Sequence, residues 1–272
     1  MSVLNTQLNI VIGYPLIHTK SPVLHGLIYE EIGARAILLP FSEPDIKKLV
    51  AAIRTLSIKL TAVTMPFKQS AVNLMDSVDR SARQIGAINT IINRNGKLVG
   101  YNTDIFGMEY ALRHTKLKDK HVLLLGAGGA ALALAHVVKS HGGRLIYVNR
   151  TSKHIKELQK KFGGRAASMS ELTSNDIDVI VNATPVGMFP DIKNSPVPQT
   201  LLAKHQTVFD LVYNPSETAL LKSAKKKGAT VISGINMFTA QGVRQVELWT
   251  RKKIITPKLI ARLNKKIINT ML

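Results

Sequence analysis

Three glycines follow an apolar run in the segment HVLLLGAGGAA, residues 121–131. The run over 122–125 is typical of a strand buried on both faces, and the small residues after it indicate a tight turn into a helix. Glycines at such a turn let backbone N–H groups approach a phosphate at the positive end of the helix. Ala131 takes the third position of the G-x-G-x-x-G pattern. The segment predicts a dinucleotide site, with an ordinary glycine turn in a parallel sheet as the alternative.

A basic segment closes the strand that follows this turn. Helical character over 130–141 and the apolar run RLIYV at 144–148 complete a β-α-β unit. An NAD site would place Asp or Glu after the second strand, whereas this chain has Asn149, Arg150 and Thr151. The guanidinium of Arg150 suits a ribose 2′-phosphate, and Lys153 adds a positive charge. The segment predicts NADP(H), with a solvated basic turn as the alternative.

Two hydroxyl side chains stand two residues apart near the first predicted helix. Thr19 and Ser21 precede Pro22, and proline is favoured at the first position of a helix. Short hydroxyl donors at the positive end of a helix form a receptor for a carboxylate. The alternative role of Ser21 is structural, because serine before proline is a good helix N-cap.

A lysine and an aspartate are candidates for proton transfer. Lys68 follows Pro66 at the predicted start of a helix, an unusual place for a lysine that only meets solvent. Asp104 opens a later helix, where the alternative is an acid favoured only by the helix dipole. Hydride transfer at a carbonyl carbon needs a proton at the oxygen, and Lys68 is our candidate donor.

The elements that position these residues alternate between strand and helix. A two-residue hairpin turn is predicted at Asn95-Gly96. The first hundred residues predict strands at 8–12, 35–41 and 59–64, and helices at 22–32, 43–56 and from Lys68 and Arg80. The rest predicts a helix near Ile105, strands near residues 122, 144, 178, 208 and 230, and closing helices at 237–251 and from Pro257.

We therefore expect an α/β fold with two domains separated by an active-site cleft. Residues 1–104 plus 237–272 would form the substrate-binding catalytic domain. Residues 105–236 would form a Rossmann-like NADP-binding domain with a mostly parallel sheet.

Composition limits the class of protein. The chain has 272 residues, of which 45% are hydrophobic, and no cysteine, so disulfides and thiolate chemistry are excluded. The net charge of +20 is spread over helix faces without interleaved aromatic residues, which favours anionic ligands over specific nucleic-acid binding. The histidines show no spacing typical of metal ligands. Without a secretory pattern or a membrane span, we expect a cytoplasmic monomer or homodimer.

Ordered motifs over about residues 9–249 resemble those of the shikimate dehydrogenase family. The motifs for substrate are G-x-P-x-x-H-S-x-S-P-x-x-H at 13–25, V-T-x-P-x-K at 63–68, G-A-x-N-T at 86–90 and N-T-D at 102–104. The remaining motifs are the glycine turn at 126–131, N-R-T at 149–151, N-A-T at 182–184 with G-M at 187–188, D-x-x-Y-x-P at 210–215 and G-x-x-M-x-x-x-Q at 234–241.

The resemblance implies an NADP-dependent oxidoreductase that interconverts 3-dehydroshikimate and shikimate in aromatic amino acid biosynthesis. It implies Lys68 and Asp104 as the catalytic pair, and no metal. The substrate carboxylate would be held by Thr19 and Ser21, and the ring hydroxyls or carbonyl by Thr64, Asn89 and Gln241. The implied cofactor residues are Gly126, Ala127, Gly128, Gly129, Ala130, Asn149, Arg150, Thr151, Lys153, Thr184, Met188, Leu211 and Gly234.

Three substitutions separate the chain from the family pattern. Ala62 stands where the family usually has Asn, Thr19 replaces Ser, and Gly26 replaces Asn. The first two fall in the substrate motifs, so a dehydrogenase for quinate or another hydroaromatic acid is the alternative. A non-catalytic NADP(H)-binding or nucleic-acid-binding protein is the remote alternative, and the presence of both Lys68 and Asp104 argues against it.

Overall fold

A computed structural model describes residues 6–17 and 19–271, which fold into two compact units. The first unit comprises the described residues of Met1–Phe106 and Thr239–Thr270, and the second comprises Gly107–Phe238 with Met271. None of the helices within the described ranges has the length and hydropathy that a transmembrane segment needs.

The first unit contains a six-stranded mixed sheet. Its strands are β1 (Gln7–Gly13), β2 (Ala36–Ser42), β3 (Leu60–Val63), β4 (Ser77–Val78), β5 (Thr90–Arg94) and β6 (Lys97–Tyr101). In space they follow the order β2-β1-β3-β5-β6-β4. β1 is parallel to β2 and β3, whereas β5 runs antiparallel to β3 and β6. The turn between β5 and β6 has positive φ angles at Asn95 (53°) and Gly96 (90°), so the predicted hairpin is confirmed.

Helices cover these strands and connect them. The helices of the described chain are α1 (Ser21–Glu31), α2 (Ile46–Thr55), α3 (Arg80–Ile85), α4 (Asp104–Leu112), α5 (Gly129–Ser140), α6 (Ser152–Phe162), α7 (Ala219–Lys226), α8 (Gly234–Thr250) and α9 (Pro257–Asn269). The apolar face of α2, Leu49, Val50 and Ile53, packs in one buried cluster with Ile10 and Ile12 of β1. Apolar residues at this spacing form one face of a helix, and the structure confirms the helix predicted in this region.

The prediction that a helix begins at Lys68 is wrong. A turn occupies this position, and a short 3-10 helix begins only at Ser70 and ends at Leu74. The backbone carbonyl of Lys68 accepts a hydrogen bond from the N–H of Ile88 at 2.7 Å. A tertiary contact therefore takes the acceptor that an α-helix would have used.

The second unit contains a six-stranded parallel sheet. Its strands are β7 (His121–Leu125), β8 (Arg144–Val148), β9 (Arg165–Ala166), β10 (Val179–Asn182), β11 (Thr207–Asp210) and β12 (Thr230–Ser233), in the spatial order β12-β11-β10-β7-β8-β9. All neighbouring pairs are parallel, which confirms the predicted α/β fold with a Rossmann-like sheet. The strand order reverses between β7 and β10, and ligands of such sheets bind beyond the carboxyl ends of the strands at this position.

Candidate active site

The polar residues predicted to contact the substrate ring lie at one edge of the first sheet. The register places the end of β3 beside the start of β5, and the start of β5 beside the end of β6. Thr64 follows β3, Asn89 precedes β5, and residues 102–104 follow β6. Segments that are distant in sequence therefore emerge at the same edge.

Lys68 and Asp104 form an ion pair at this edge. Lys68 Nζ lies 2.7 Å from Asp104 Oδ2, and the two side chains are 19% and 5% exposed. The other carboxylate oxygen, Oδ1, accepts a hydrogen bond from Asn89 Nδ2 at 2.8 Å. Each oxygen of Asp104 thus has its own donor, and the lysine ammonium keeps N–H groups for a further acceptor.

Asn89 is the centre of a buried hydrogen-bond network around this pair. Its Oδ1 accepts hydrogen bonds from the Thr103 N–H at 2.7 Å and from Thr90 Oγ1 at 2.8 Å. Gln241 Oε1 lies 3.3 Å from Asn89 Nδ2, and Gln245 Nε2 donates to the Asn89 carbonyl at 3.1 Å. The structure therefore brings the predicted residues Asn89 and Gln241 together with the ion pair.

Thr64 is fixed by a close approach to the end of β1. Its N–H donates to the carbonyl of Ile12 at 2.9 Å. A Cβ atom at Gly13 would lie 2.6 Å from Thr64 Cγ2 and 2.8 Å from the Met65 carbonyl oxygen. Only glycine at position 13 allows the two loops to pack this closely.

Thr19 and Ser21 lie at the start of α1, where the predicted N-cap role of Ser21 is wrong. The helix begins at Ser21 itself, and the N-cap residue is Lys20 without a side-chain capping bond. Thr19 Oγ1 accepts the Ser21 N–H at 3.2 Å, which satisfies the first backbone donor of the helix. His18, which belongs to the same motif, lies outside the described residues.

His25 closes that motif as a core residue. Its ring is buried, packs edge to face against Tyr29, and its Nδ1 lies 3.0 Å from the Ser21 carbonyl oxygen. Burial lowers the pKa of His25 to about 4, although the hydrogen bond to Ser21 acts in the opposite direction. The imidazole is therefore neutral at physiological pH and supports the first turn of α1.

The glycine turn of the second unit lies at the carboxyl end of β7. Gly126 has a φ of 101°, and a Cβ atom there would lie 3.0 Å from the Ala183 carbonyl oxygen. Gly128 is the N-cap of α5, and a Cβ atom there would meet nothing within 4 Å. The first N–H groups of α5 are thus open to a ligand next to the residues Gly126, Ala127, Gly128, Gly129 and Ala130.

The basic segment follows β8, the strand beside β7. Thr151 is the N-cap of α6 but makes no capping bond, and Asn149 Nδ2 donates to its carbonyl at 3.1 Å. Arg150 and Lys153 are exposed, and neither takes part in an ion pair with another described residue. Both cations are therefore available for an anionic group near the glycine turn.

Asn182 holds the loops that carry the remaining predicted cofactor residues. Its Oδ1 accepts hydrogen bonds from the N–H and Oγ1 of Thr184 at 3.0 and 2.6 Å, and its carbonyl accepts the Leu211 N–H at 3.0 Å. A Cβ atom at Gly234 would lie 2.5 Å from the Leu211 carbonyl oxygen. Met188 follows in the Thr184 loop and is partly exposed.

Asp210 completes this arrangement, and sequence reasoning did not assign it a role. It accepts hydrogen bonds from Asn182 Nδ2 at 2.9 Å, the Val212 N–H at 3.0 Å and Thr218 Oγ1 at 2.6 Å. Burial raises the pKa of Asp210 to about 6, although these hydrogen bonds act in the opposite direction. The sequence does contain a signal for this pair, because the apolar strands VIVN and TVFD each end on a polar residue, Asn182 and Asp210.

Comparison with known proteins agrees with both units. The model described as shikimate dehydrogenase substrate binding domain matches residues 11–91, and the model described as shikimate / quinate 5-dehydrogenase matches residues 109–213. The shikimate dehydrogenase (NADP(+)) of Pyrococcus abyssi is 39% identical over 243 residues, which cover 88% of this chain and 90% of that protein. The one from Dehalococcoides mccartyi is 37% identical over 257 residues, covering 89% and 90%.

Solved structures show the same similarity. A shikimate dehydrogenase in complex with NADP+ superposes with a TM-score of 0.91 at 33% identity, over 100% of this chain and 98% of that one. The Thermus thermophilus enzyme in complex with NADP(H) and shikimate gives a TM-score of 0.86 at 30% identity, over 96% of this chain and 100% of that one. With similarity of this extent in both sequence and structure, the chain belongs to the shikimate dehydrogenase family.

Proposed function

We propose that this protein catalyses the reversible, NADP-dependent reduction of 3-dehydroshikimate to shikimate. The observation that carries the proposal is the 2.7 Å contact between Lys68 and Asp104, in a chain of the shikimate dehydrogenase family. A lysine ammonium held by a nearly buried carboxylate is suited to move a proton at a carbonyl or hydroxyl oxygen.

Lys68 is the proton donor in this proposal. In the reductive direction its Nζ gives a proton to the substrate oxygen, so the carbonyl becomes a hydroxyl; in the oxidative direction Nζ takes that proton back. NADPH, when bound, supplies the hydride for the carbon. Asp104 keeps Nζ in place through Oδ2 while Asn89 keeps Asp104 in place through Oδ1. The partial exposure of Lys68 lets solvent restore its proton.

The remaining substrate contacts follow from the position of each side chain. We assign Thr19 and Ser21, at the positive end of α1, to the substrate carboxylate. Thr64, Asn89 and Gln241 are assigned to the ring hydroxyls or the carbonyl. This assignment would fix which ring carbon accepts the hydride.

The residues at the carboxyl edge of the second sheet fit NADP(H). Open space at Gly128 and the first N–H groups of α5 suit the pyrophosphate. We assign this group to the turn formed by Gly126, Ala127, Gly128, Gly129 and Ala130. Arg150 and Lys153 supply positive charge for the 2′-phosphate, assisted by Asn149 and Thr151. Thr184, Met188 and Leu211 belong to loops at the same edge of the sheet, and Gly234 begins α8 directly after β12. Within the described part of the chain, no cluster of three or more His, Asp or Glu side chains could hold a metal ion.

The test is reduction of NADP⁺ by the purified protein with shikimate, followed by the absorbance of NADPH. We expect turnover with shikimate, and a loss of kcat of about a hundredfold to ten-thousandfold in Lys68→Met. Lys97→Met removes an exposed lysine of the β5–β6 hairpin and is the matched control, expected to keep full activity. Turnover of quinate alone, or full activity of Lys68→Met, would refute the proposal.

Domain roles and cellular context are part of the same proposal. We assign substrate binding to residues 1–104 with 237–272, and NADP binding to 105–236. The cytoplasmic location and the monomeric or homodimeric state expected from the sequence stay predictions.

A further inference from the structure

A cationic cavity lies within the first unit, away from Lys68 and Asp104. It has a volume of about 340 Å³ and is lined by Lys59, Arg94, Trp249 and Arg251, together with the carboxamides of Gln7, Asn93 and Asn95. No aspartate or glutamate is among the lining residues. The volume is at the lower end of what small-molecule sites occupy.

The position of the cavity in the sheet separates it from the proposed active site. Lys59 precedes β3, Gln7 begins β1, and Arg94 ends the antiparallel strand β5. These three positions share one edge of the sheet, whereas Thr64 and Asn89 lie at the opposite edge. Four or five residues of strand separate the two edges, roughly 15 Å.

The cations of this cavity have no acidic partner among the residues that the structure describes. None of the ion pairs formed among the described residues includes Lys59, Arg94 or Arg251. Lys59 is half-buried, so its side chain is surrounded partly by protein and only partly by water. Three like charges around one small cavity repel each other, and an anion bound between them would offset this repulsion.

Arg94 is held in a fixed orientation at this cavity. Its guanidinium donates to the carbonyls of Leu248 and Trp249 in the last turn of α8. Two of its nitrogens are thereby positioned, while its planar group still has further N–H donors. A preorganised guanidinium loses less rotational freedom on binding an anion than a free one.

We propose that this cavity binds a small organic anion that carries a phosphate group. Lys59, Arg94 and Arg251 contact the phosphate oxygens, and the carboxamides supply neutral hydrogen bonds. Phosphate is favoured over a single carboxylate because it presents more charge and more acceptor oxygens to several N–H donors. The indole of Trp249 packs against the carbon portion of the ligand. This inference does not depend on the proposed dehydrogenase activity.

Trp249 makes the proposal directly testable because it is the one tryptophan in the 272-residue chain. We would titrate the intact protein with pyrophosphate and with AMP, and follow both Trp249 fluorescence and the heat of binding. We expect a fluorescence change with each probe, and tighter binding of AMP because its ring can contact the indole. Neither signal at ligand concentrations up to roughly 10 mM would overturn the proposal.

Variants that remove one positive charge test whether the probe binds in this cavity. Lys59→Gln and Arg251→Gln should each weaken binding about tenfold, as expected for the loss of a charge-assisted hydrogen bond. Lys253→Gln removes an exposed charge of the same segment that does not line the cavity, and should change the affinity less than twofold. Equal weakening by Lys253→Gln would mean that only the net charge attracts the probe, which would overturn the proposal.

Two further titrations test whether the probe binds at another site and whether phosphate is the preferred anion. AMP also suits a nucleotide site, so Arg150→Gln is titrated in parallel and should retain the Trp249 signal. Loss of that signal in Arg150→Gln would assign the binding to the second unit and refute the cavity site. Citrate binding as tightly as AMP would replace phosphate with a polycarboxylate and refute the phosphate assignment.

Discussion

Asn89 Nδ2 donates to Asp104 Oδ1 at 2.8 Å, on the carboxylate oxygen that Lys68 does not contact. The same asparagine accepts the backbone N–H of Thr103, the residue before Asp104. Asn89 Nδ2 therefore holds the carboxylate of Asp104, while Asn89 Oδ1 holds the backbone of the preceding residue. The orientation of the ion pair depends on a residue outside the pair.

Replacing Asn89 should thus reduce catalysis although Lys68 and Asp104 remain. In Asn89→Ala we expect kcat with shikimate to fall about tenfold to a hundredfold, because the Asp104 carboxylate is free to rotate away from Lys68. The unpaired Thr103 N–H should also lower the free energy of unfolding by about 1 to 3 kcal/mol. Steady-state kinetics and denaturant unfolding measure the two effects. An unchanged kcat would show that Asp104 needs no support from Asn89.

Arg150 should decide the choice between NADP⁺ and NAD⁺. In Arg150→Gln we expect KM for NADP⁺ to rise about tenfold or more, because the variant cannot make the proposed bidentate contact to the 2′-phosphate. KM for NAD⁺ should stay within about twofold, since NAD⁺ has no phosphate at this position. Lys153→Gln is the comparison variant and should have a smaller effect, as a lysine is a single point charge. Equal changes in KM for both cofactors would argue against this role of Arg150.

Asp210 should make the protein less stable as pH rises. Its pKa of about 6 in the folded chain lies above the ordinary aspartate value of 3.8, so between those pH values the folded state binds more protons than the unfolded state. The contribution of Asp210 to the free energy of unfolding is therefore largest at low pH and falls by about 3 kcal/mol as pH rises through 6. Asp210→Asn lacks this titration and should gain stability relative to the wild type over the same range.

The measurement for Asp210 is the difference in free energy of unfolding between Asp210→Asn and the wild type, from denaturant curves at several pH values. Thr218→Val removes a hydroxyl donor that lowers the pKa of Asp210 and keeps the carboxyl group, so its pH dependence should persist and extend to higher pH than in the wild type. A difference that does not change with pH would contradict the raised pKa of Asp210.

His25 should have the opposite effect at acidic pH. Its pKa of about 4 in the folded chain lies below the ordinary histidine value of 6.5, so the unfolded state binds more protons over that interval. The free energy of unfolding should therefore fall by about 3 kcal/mol as pH drops from about 6.5 to 4. His25→Asn should flatten this acid limb, and the imidazole NMR signals should titrate near pH 4 in the folded protein. Titration of those signals near the ordinary histidine pKa of 6.5 would contradict the prediction.

The two titrations overlap between about pH 4 and 6 and oppose each other. The wild-type stability curve alone would hide both, so each prediction is expressed as a difference between variant and wild type.

Local sequence patterns predicted most elements of the fold, because most helices, strands and turns depend on residues that are close in sequence. The apolar face of α2, the Asn95-Gly96 hairpin and the glycine turn after β7 each depend on residues within a few positions. The patterns failed where distant residues compete for the same backbone groups. Ile88 takes the Lys68 carbonyl, so the local helix signal at Lys68 did not lead to the expected start.

By itself, the sequence determined the α/β class, the candidate residues Lys68, Asp104 and Arg150, and the family motifs that name them. These properties depend on residue types and short spacings. The tertiary structure alone decided that Asn89 orients Asp104, that Asp210 is buried with Asn182, and that Lys59, Arg94 and Arg251 surround one cavity. Strand register brings these residues together although they are distant in sequence. Burial then determines which hydrogen bonds they make and which protonation state they favour. Local spacing in the sequence encodes neither property.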